Sequence, residues 1–375
     1  MKILYVTTIS LTMDFFVRHI KMLLDGGNEV ELACNFARPP HQFYLDTNCL
    51  VHDLPFSRSL FSAKNIKAYK GLKKLINDEN YDIVHTHTPI ASVYARLACR
   101  GARKRGTRVF YTAHGFHFFK DGSLKNWLLY YPVERYMARH TDVMITICCE
   151  DYKRAKRFMA DRVKYISGIG IDISAIEQVK TDRKDKRTEV GIPTDALLLL
   201  SVGELNRNKN HEVVLKVLAT LKALVEMYDI HYLICGVGSE RDYLDTLCTK
   251  LNLAERVHFL GLRSDVIEIM KTTDIFVHPS KREGLSVALM EAMACGLPII
   301  CAKIRGNVDL IKDGEGGILC ENGNIATLRE AIRLLGEDST LRQEMGSYNL
   351  ERVKEFGIEG VLAQLAEIYD EVSLS

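Results

Sequence analysis

Apolar residues fall in short, nearly continuous runs separated by longer amphipathic stretches, and this alternation repeats along most of the chain. In the first half, runs at 3–7, 30–34, 50–54, 83–85, 109–113 and 143–147 read as strands, with helical periodicity at about 11–25, 63–78, 89–101, 124–139 and 149–159. A second series starts with a strand at 197–202, then a helix at 210–227, a strand at 231–235, a helix at 239–251 and a strand at 257–260. It ends with a strand at 275–278, a helix at 285–295 and a strand at 298–302. Strands that lack polar alternation are covered on both faces, and strand–helix alternation builds parallel, doubly wound sheets. The expected class is therefore α/β, with two Rossmann-like domains.

At 375 residues the chain exceeds a single core. The stretch 168–195, GIGIDISAIEQVKTDRKDKRTEVGIPTD, is polar, charged and rich in turn formers, and is the expected hinge. The domains predicted are 1–170, a linker at 171–195, and 196–355; the last helices, from about 327 to 375, have no strand partners.

Composition narrows the class without naming a chemistry. Hydrophobic residues make up 47% and charged residues 26%, ordinary for a soluble globular protein. The longest apolar runs, 196–200 and 297–302, are strand-sized, far short of the ~20 residues that span a bilayer. Met1-Lys2 leads straight into the first strand, which leaves no room for a secretory signal. Ten cysteines show no C-x2-C pairs and mostly lie in apolar elements, the pattern of reduced core thiols in the cytoplasm. The net charge of +2 hides an asymmetry: residues 1–165 hold 26 Lys/Arg against 15 Asp/Glu, the remainder 24 against 33. Basic clusters at Lys64–Lys74, Arg100–Arg108 and Lys153–Arg157 come with no nucleic-acid motif, which argues against nucleic acid. Together they suit an anionic surface, so a peripheral association with the inner face of a membrane is expected through the basic half.

Candidate chemistry concentrates in 274–300, DIFVHPSKREGLSVALMEAMACGLPII. Glu283 lies in the loop after a strand and Glu291 eight residues on, in a helix that stops at Gly296-Leu297-Pro298. At that helix's start the backbone N–H groups of Gly284, Leu285 and Ser286 favour an anion such as a diphosphate. Two carboxylates beside an anion site suit a ligand rich in hydroxyls, a nucleotide sugar. This E-x7-E block closely resembles the retaining family 4 glycosyltransferases of the GT-B fold, in which two Rossmann-like domains face each other across a cleft. The resemblance spans nearly the whole chain and is strongest over 275–311.

That resemblance implies roles by position. Glu283 would contact the donor sugar and Glu291 the ribose hydroxyls. SVGELNRNKNH (201–211) is similar to the family's glycine–arginine–leucine loop, with Gly203 at its glycine and Lys209 at its diphosphate-binding lysine. Glu204 occupies the arginine position, a departure, and Arg207 is the candidate replacement cation. The loop at Leu262 and Arg263 would flank the base, held largely by main-chain contacts. Gly236-Val237-Gly238 lacks the third glycine of a dinucleotide fingerprint and reads as a tight turn. IRGNVDLI (304–311) would bring Arg305 and Asn307 toward the donor.

In the first half, VFYTAHGFHFF (109–119) resembles the family segment whose histidine approaches the transferring sugar, here His114; His117 is an acceptor-side candidate. His85 and His87, on one face of a strand end, find no third ligand at convincing spacing and are assigned to the acceptor side. Ser10 and Thr12, in TTISLTMDFF (7–16), are expected to face the acceptor as well. The aromatic, partly basic stretch 116–139 offers either ordinary packing or contact with a membrane interface.

The activity implied is transfer of a sugar, from a UDP-sugar foremost, to a lipid-diphosphate-linked saccharide, with configuration kept. No second carboxylate is positioned as a nucleophile, which favours a front-face path. By resemblance neither a metal nor another cofactor is required, and no D-x-D motif is present. By resemblance, too, the segment 356–375 is expected to cross back onto the first domain. Two alternatives stay open: a UDP-sugar epimerase of the same fold, and a non-catalytic partner of a second transferase, suggested by Glu204.

Overall fold

Chain segments rich in Ile, Val and Leu become parallel strands here because helices cover both faces of each sheet. The computed structural model describes residues 1–47, 49–59, 62–120 and 122–373. Its first sheet joins β1 (Lys2–Ile9), β2 (Glu29–Asn35), β3 (Val51–Asp53), β4 (Ile83–Thr86), β5 (Arg108–Ala113), β6 (Val143–Thr146) and β7 (Arg162–Tyr165) in the order β3-β2-β1-β4-β5-β6-β7. The second sheet joins β8 (Leu198–Val202), β9 (His231–Cys235), β10 (Val257–Gly261), β11 (Ile275–His278), β12 (Ile299–Ala302) and β13 (Gly317–Cys320) in the order β10-β9-β8-β11-β12-β13. Strand order reverses between β1 and β4 and between β8 and β11. In such sheets a crevice opens at that point, outside the carboxyl ends of the strands. The architecture is the GT-B one: two Rossmann-like α/β units.

The two compact units are 1–170 with 358–375, and 171–357. The expected linker, 171–195, is built into the second unit by two short helices, Ile173–Gln178 and Arg183–Glu189. Arg187 is fully buried there; its guanidinium donates to the carbonyls of Thr272, Thr194 and Ala196 and pairs with Asp274 at 2.7 Å. A stretch rich in Lys, Arg and Asp reads as solvated linker, yet here its charges meet opposite charges and carbonyls. The final helix, Ile358–Ser373, packs on the helix Val17–Asp25 of the first unit and places Tyr369 OH 2.6 Å from His85 Nδ1. Phe356 stays with the second unit, its carbonyl accepting from Ile171 N at 3.2 Å.

Three local differences from the sequence pattern have physical causes. The helix expected at 11–25 breaks into Ser10–Met13, a tighter turn Asp14–Phe16 and Val17–Asp25. Ser10, Met13 and Phe16 are all buried, and a spacing of three suits the 3₁₀ turn. The helix expected at 210–227 splits at Leu221 into His211–Thr220 and Lys222–Met227. Strand β7, Arg-Val-Lys-Tyr, carries no apolar run because it is a sheet edge where Lys164 pairs with Glu371 at 2.6 Å, and β13, Gly-Ile-Leu-Cys, is apolar but only four residues long.

Gly236, just after β9, has φ 153°, and a Cβ on it would lie 1.9 Å from the carbonyl oxygen of Gly203. Gly236→Ala is expected to cost on the order of 2–4 kcal/mol, read as a lowered thermal unfolding midpoint.

Candidate active site

In the second unit, the loops after β8 and β11 leave the sheet where strand order reverses, and hydrogen bonds stitch them together. Asn206 Oδ1 accepts from the backbone N–H groups of Asn208 (3.0 Å) and Lys209 (2.9 Å), an Asx-type turn that folds the first loop. Asn208 Nδ2 then donates to the carbonyl of Arg282 at 2.9 Å, and Lys281 N to the carbonyl of Asn208 at 2.8 Å. Asn210 takes a left-handed backbone (φ 58°) and donates Nδ2 to the carbonyl of Pro279. With the loops so fixed, Lys209 Nζ lies 2.8 Å from Glu283 Oε1. A Cβ on Gly203 would approach Lys209 Cε to 3.0 Å, so glycine there lets the lysine stem lie against the backbone.

His278 Nε2 meets the same carboxylate oxygen at 3.3 Å, and Ser280 Oγ lies 3.3 Å from that nitrogen. Burial pushes the Glu283 carboxyl up, but the hydrogen bond and charge of His278 and the Lys209 ammonium outweigh it. Glu283 is held well below the usual carboxylate range. Burial also pushes His278 below its ordinary value, against the hydrogen bond and charge of Glu283. Below, the buried Arg305 donates Nε and Nη2 to the Glu283 carbonyl at 3.3 and 3.1 Å. Gly306 (φ 82°) packs so closely that a Cβ would fall 1.6 Å from the Gly284 carbonyl oxygen.

The helix Val287–Ala294 begins four residues after Glu283 with Ser286 as its N-cap, two residues later than the sequence pattern places it, so the free N–H groups of its start are those of Ser286 and the first turn after it. Glu291 lies on the same helix, and burial alone pushes its carboxyl up to about 7. The structure thus brings Gly203, Lys209 and Glu283 together, just ahead of the start of that helix.

Other expected donor groups point elsewhere. Glu204 is exposed. Arg207 is 90% exposed and leans toward Glu240 at 3.6 Å. It lines a pocket of about 410 Å³ with Asn206, His211, Glu212, Tyr243 and Lys281, and neither Lys209 nor Glu283 contributes to that pocket. Arg207 therefore does not replace the cation missing at Glu204: the Asn206 turn sends it and Lys209 in different directions. Arg263 pairs with Asp265 and Glu189, both at 2.6 Å, while Leu262 is 84% exposed. Sequence reasoning missed His278 and Asn206. The first was hidden at the end of an apolar strand, and only the Asn-x-Asn turn composition of 206–208 hinted at the second.

In the first unit, His114 follows β5 and meets His87, its Nε2 lying 3.3 Å from His87 Nδ1. Phe16 stacks near His87 (centroids 4.1 Å apart) and Tyr5 lies against the other side at 4.8 Å. Burial pushes both rings down, His114 to about 4, so both are neutral at pH 7. His85 is fully buried between Tyr369 and Thr112 Oγ1 (2.8 Å). It is a packed interior residue, not an acceptor-facing one, because β4 is central in the sheet. Ser10 is buried too, Thr12 is partly exposed, and His117 is half-buried with its ring 4.5 Å from Tyr130. Among the described residues, no three His, Cys, Asp or Glu side chains group as metal ligands, and no helix is long and apolar enough to cross a membrane.

Family models agree with both halves of this layout: "Glycosyl transferase 4-like" matches residues 2–147 and "Glycosyl transferases group 1" matches 182–352. Putative glycosyltransferase EpsD of Bacillus subtilis is 36% identical over 98% of this chain and 96% of that one. The chain is a group 1 glycosyltransferase. This glycosyltransferase is also 30% identical, over 94% of its length and 92% of the relative's, to an Escherichia coli UDP-Gal:alpha-D-GlcNAc-diphosphoundecaprenol alpha-1,3-galactosyltransferase. Its fold matches the crystal structure of Anabaena HepE in complex with UDP, with a TM-score of 0.79 and 20% identity, covering 99% of this chain and 100% of that one.

Glu291 makes the glycosyltransferase's stability depend on pH. Its carboxyl rises from an ordinary 4.5 to about 7 in the fold, so the folded state holds its proton over a range where the unfolded state has lost it. Its contribution is full below about 4.5 and is lost as pH climbs through 7. Glu291→Gln is expected to flatten this slope and to raise stability at pH 8 by on the order of 1–3 kcal/mol, measured by denaturant titration across pH.

Proposed function

We propose that this glycosyltransferase moves a sugar from a nucleoside diphosphate, a UDP-sugar foremost, to a hydroxyl of a lipid-diphosphate-linked saccharide, with retention at the anomeric carbon. The observation that carries the reading is the 2.8 Å contact between Lys209 and Glu283 beside the amino end of the helix Val287–Ala294. One ammonium hydrogen serves Glu283, leaving two for a β-phosphate. The amides of Ser286 and the first turn after it add fixed positive dipoles for the charge that grows on the departing diphosphate. Glu283, kept ionised, accepts from hydroxyls of the transferring sugar; Glu291 accepts from the ribose, and the main chain at Leu262 and Arg263 borders the base.

Retention is supported by the family-like E-x7-E block, and the carboxylates bear only on the path it takes. Glu283 is tied to Lys209 and His278 and is a poor nucleophile, so the acceptor hydroxyl attacks on the leaving-group side and gives its proton to the departing phosphate. Protein cations and dipoles carry the leaving charge, and no metal or further cofactor is assigned a role. His114, neutral at pH 7 and braced by His87, is the first-unit group assigned to hydrogen-bond the sugar; Thr12 and His117 are assigned to the acceptor. The lipid-linked acceptor is supported by the name of the Escherichia coli relative, and a place in capsular or exopolysaccharide assembly by the character of the 275–311 block. An acceptor of that kind and the basic first half suit a cytoplasmic enzyme held at the inner membrane surface.

Purified protein incubated with membrane lipid extract and a panel of nucleotide sugars should release nucleotide from one UDP-sugar only when lipid is present. Glu283→Ala and Lys209→Ala should each cut that turnover by at least ~100-fold while far-ultraviolet dichroism stays unchanged. Nucleotide-sugar binding with no turnover on any lipid-linked acceptor would favour a non-catalytic partner subunit, and sugar isomerised without acceptor would favour an epimerase.

A further inference from the structure

The helix Leu124–Met137 turns an unusual face outward. Leu124 is 72% exposed, Leu128 70% and Tyr136 48%. Lys125, Arg135 and Arg139 are exposed on the same side, and at about 100° per residue all six fall within an arc of roughly 120°. Among the described residues none of these three cations joins an ion pair. The helix's one acid, Glu134, points the other way, buried against the fully buried Arg96 at 3.0 and 3.1 Å. Trp127, Tyr130 and Tyr131 pack inward on the Phe116–Phe118 cluster. Arg135 and Arg139 flank a shallow groove of about 290 Å³ completed by Tyr131, Pro132 and Tyr136.

From this we infer that the outer face of the helix Leu124–Met137 is the segment that docks on an anionic bilayer, its leucines entering the headgroup boundary and its arginines binding lipid phosphates. The inference rests on the membrane-surface reading above and goes further by naming the contact. Charge complementarity selects the occupant, since every exposed charge in the arc is positive and none is neutralised by the protein, while exposed leucines interleave with them. That is the composition of an interfacial helix. Pro132 limits the depth: it has no N–H for the carbonyl of Leu128, so that carbonyl needs water or a headgroup donor and the helix rests at the surface.

The test is co-sedimentation of the full chain with vesicles of phosphatidylcholine, alone or mixed with phosphatidylglycerol. The wild type should sediment with the mixed vesicles only, and less as salt rises. Leu124→Glu/Leu128→Glu and Arg135→Glu/Arg139→Glu should each weaken that binding by at least roughly tenfold. Lys70→Glu/Lys73→Glu, on the separate basic helix Ala63–Glu79, should leave most of it. Unchanged UDP-sugar affinity in all variants checks the fold. If both helix variants sediment like the wild type, the docking face is wrong while the membrane reading stands. If the wild type binds no vesicle yet turns over in detergent, the membrane reading itself fails. Concentration-dependent dimerisation abolished by the leucine variant would also overturn the proposal, making the face a contact between copies.

Discussion

A carboxylate taken largely out of water stays ionised only if positive charge and hydrogen bonds meet it, and Glu283 imposes that condition on the second unit. Its partners come from three separate stretches: Lys209 after β8, His278 at the end of β11, and Arg305 on the backbone carbonyl from the loop after β12. None can shift far without leaving a charge or a polar group unpaired. The Asn206 turn, the Asn208 bridges and the glycines at 203 and 306 are what that requirement demands of the backbone. They allow loops from neighbouring strands to approach closer than any side chain would permit. The pair is also preorganised, because the charges and hydrogen bonds that keep Glu283 ionised are fixed by the fold itself.

The first unit solves the opposite problem. Its buried histidines have no carboxylate partner among the described hydrogen bonds, so desolvation wins and the rings stay neutral. Tyr369 and Thr112 occupy both ring nitrogens of the interior His85, while Phe16 and Tyr5 pack His87 against His114, all without adding charge. The division of labour between the units, charge in one and neutral hydrogen bonding in the other, follows from which residues the two switch points collect.

Much of this was legible in the sequence, and the failures are instructive. The central strands announced themselves because burial on both faces leaves unbroken apolar runs, while β7, an edge reading Arg-Val-Lys-Tyr, did not and β13 is too short to stand out. Glu283 and Lys209 were readable from a family-like text, and the fold brings the two into contact. Arg207 was not, since only the fold of the Asn206 turn decides which of two cations two residues apart faces the carboxylate. His85 was misread for a related reason: strand alternation fixes the face, but a helix nearly 300 residues later decides whether that face is open. The segment 171–195 looked solvated because a sequence shows charges and not the partners that Asp274, Asp265 and Glu268 supply.

The return of the final helix to the first unit makes that unit discontinuous in the chain, with 171–357 threaded between its two parts. A growing polypeptide therefore exposes all seven strands of the first sheet long before Tyr369 exists to cover His85, while every residue of the second unit is already available. On the ribosome the later-made lobe is the one that can finish first. Nascent chains waiting for their last sixteen-residue helix leave the helix Val17–Asp25 without its packing partner and His85 without its Tyr369 hydrogen bond.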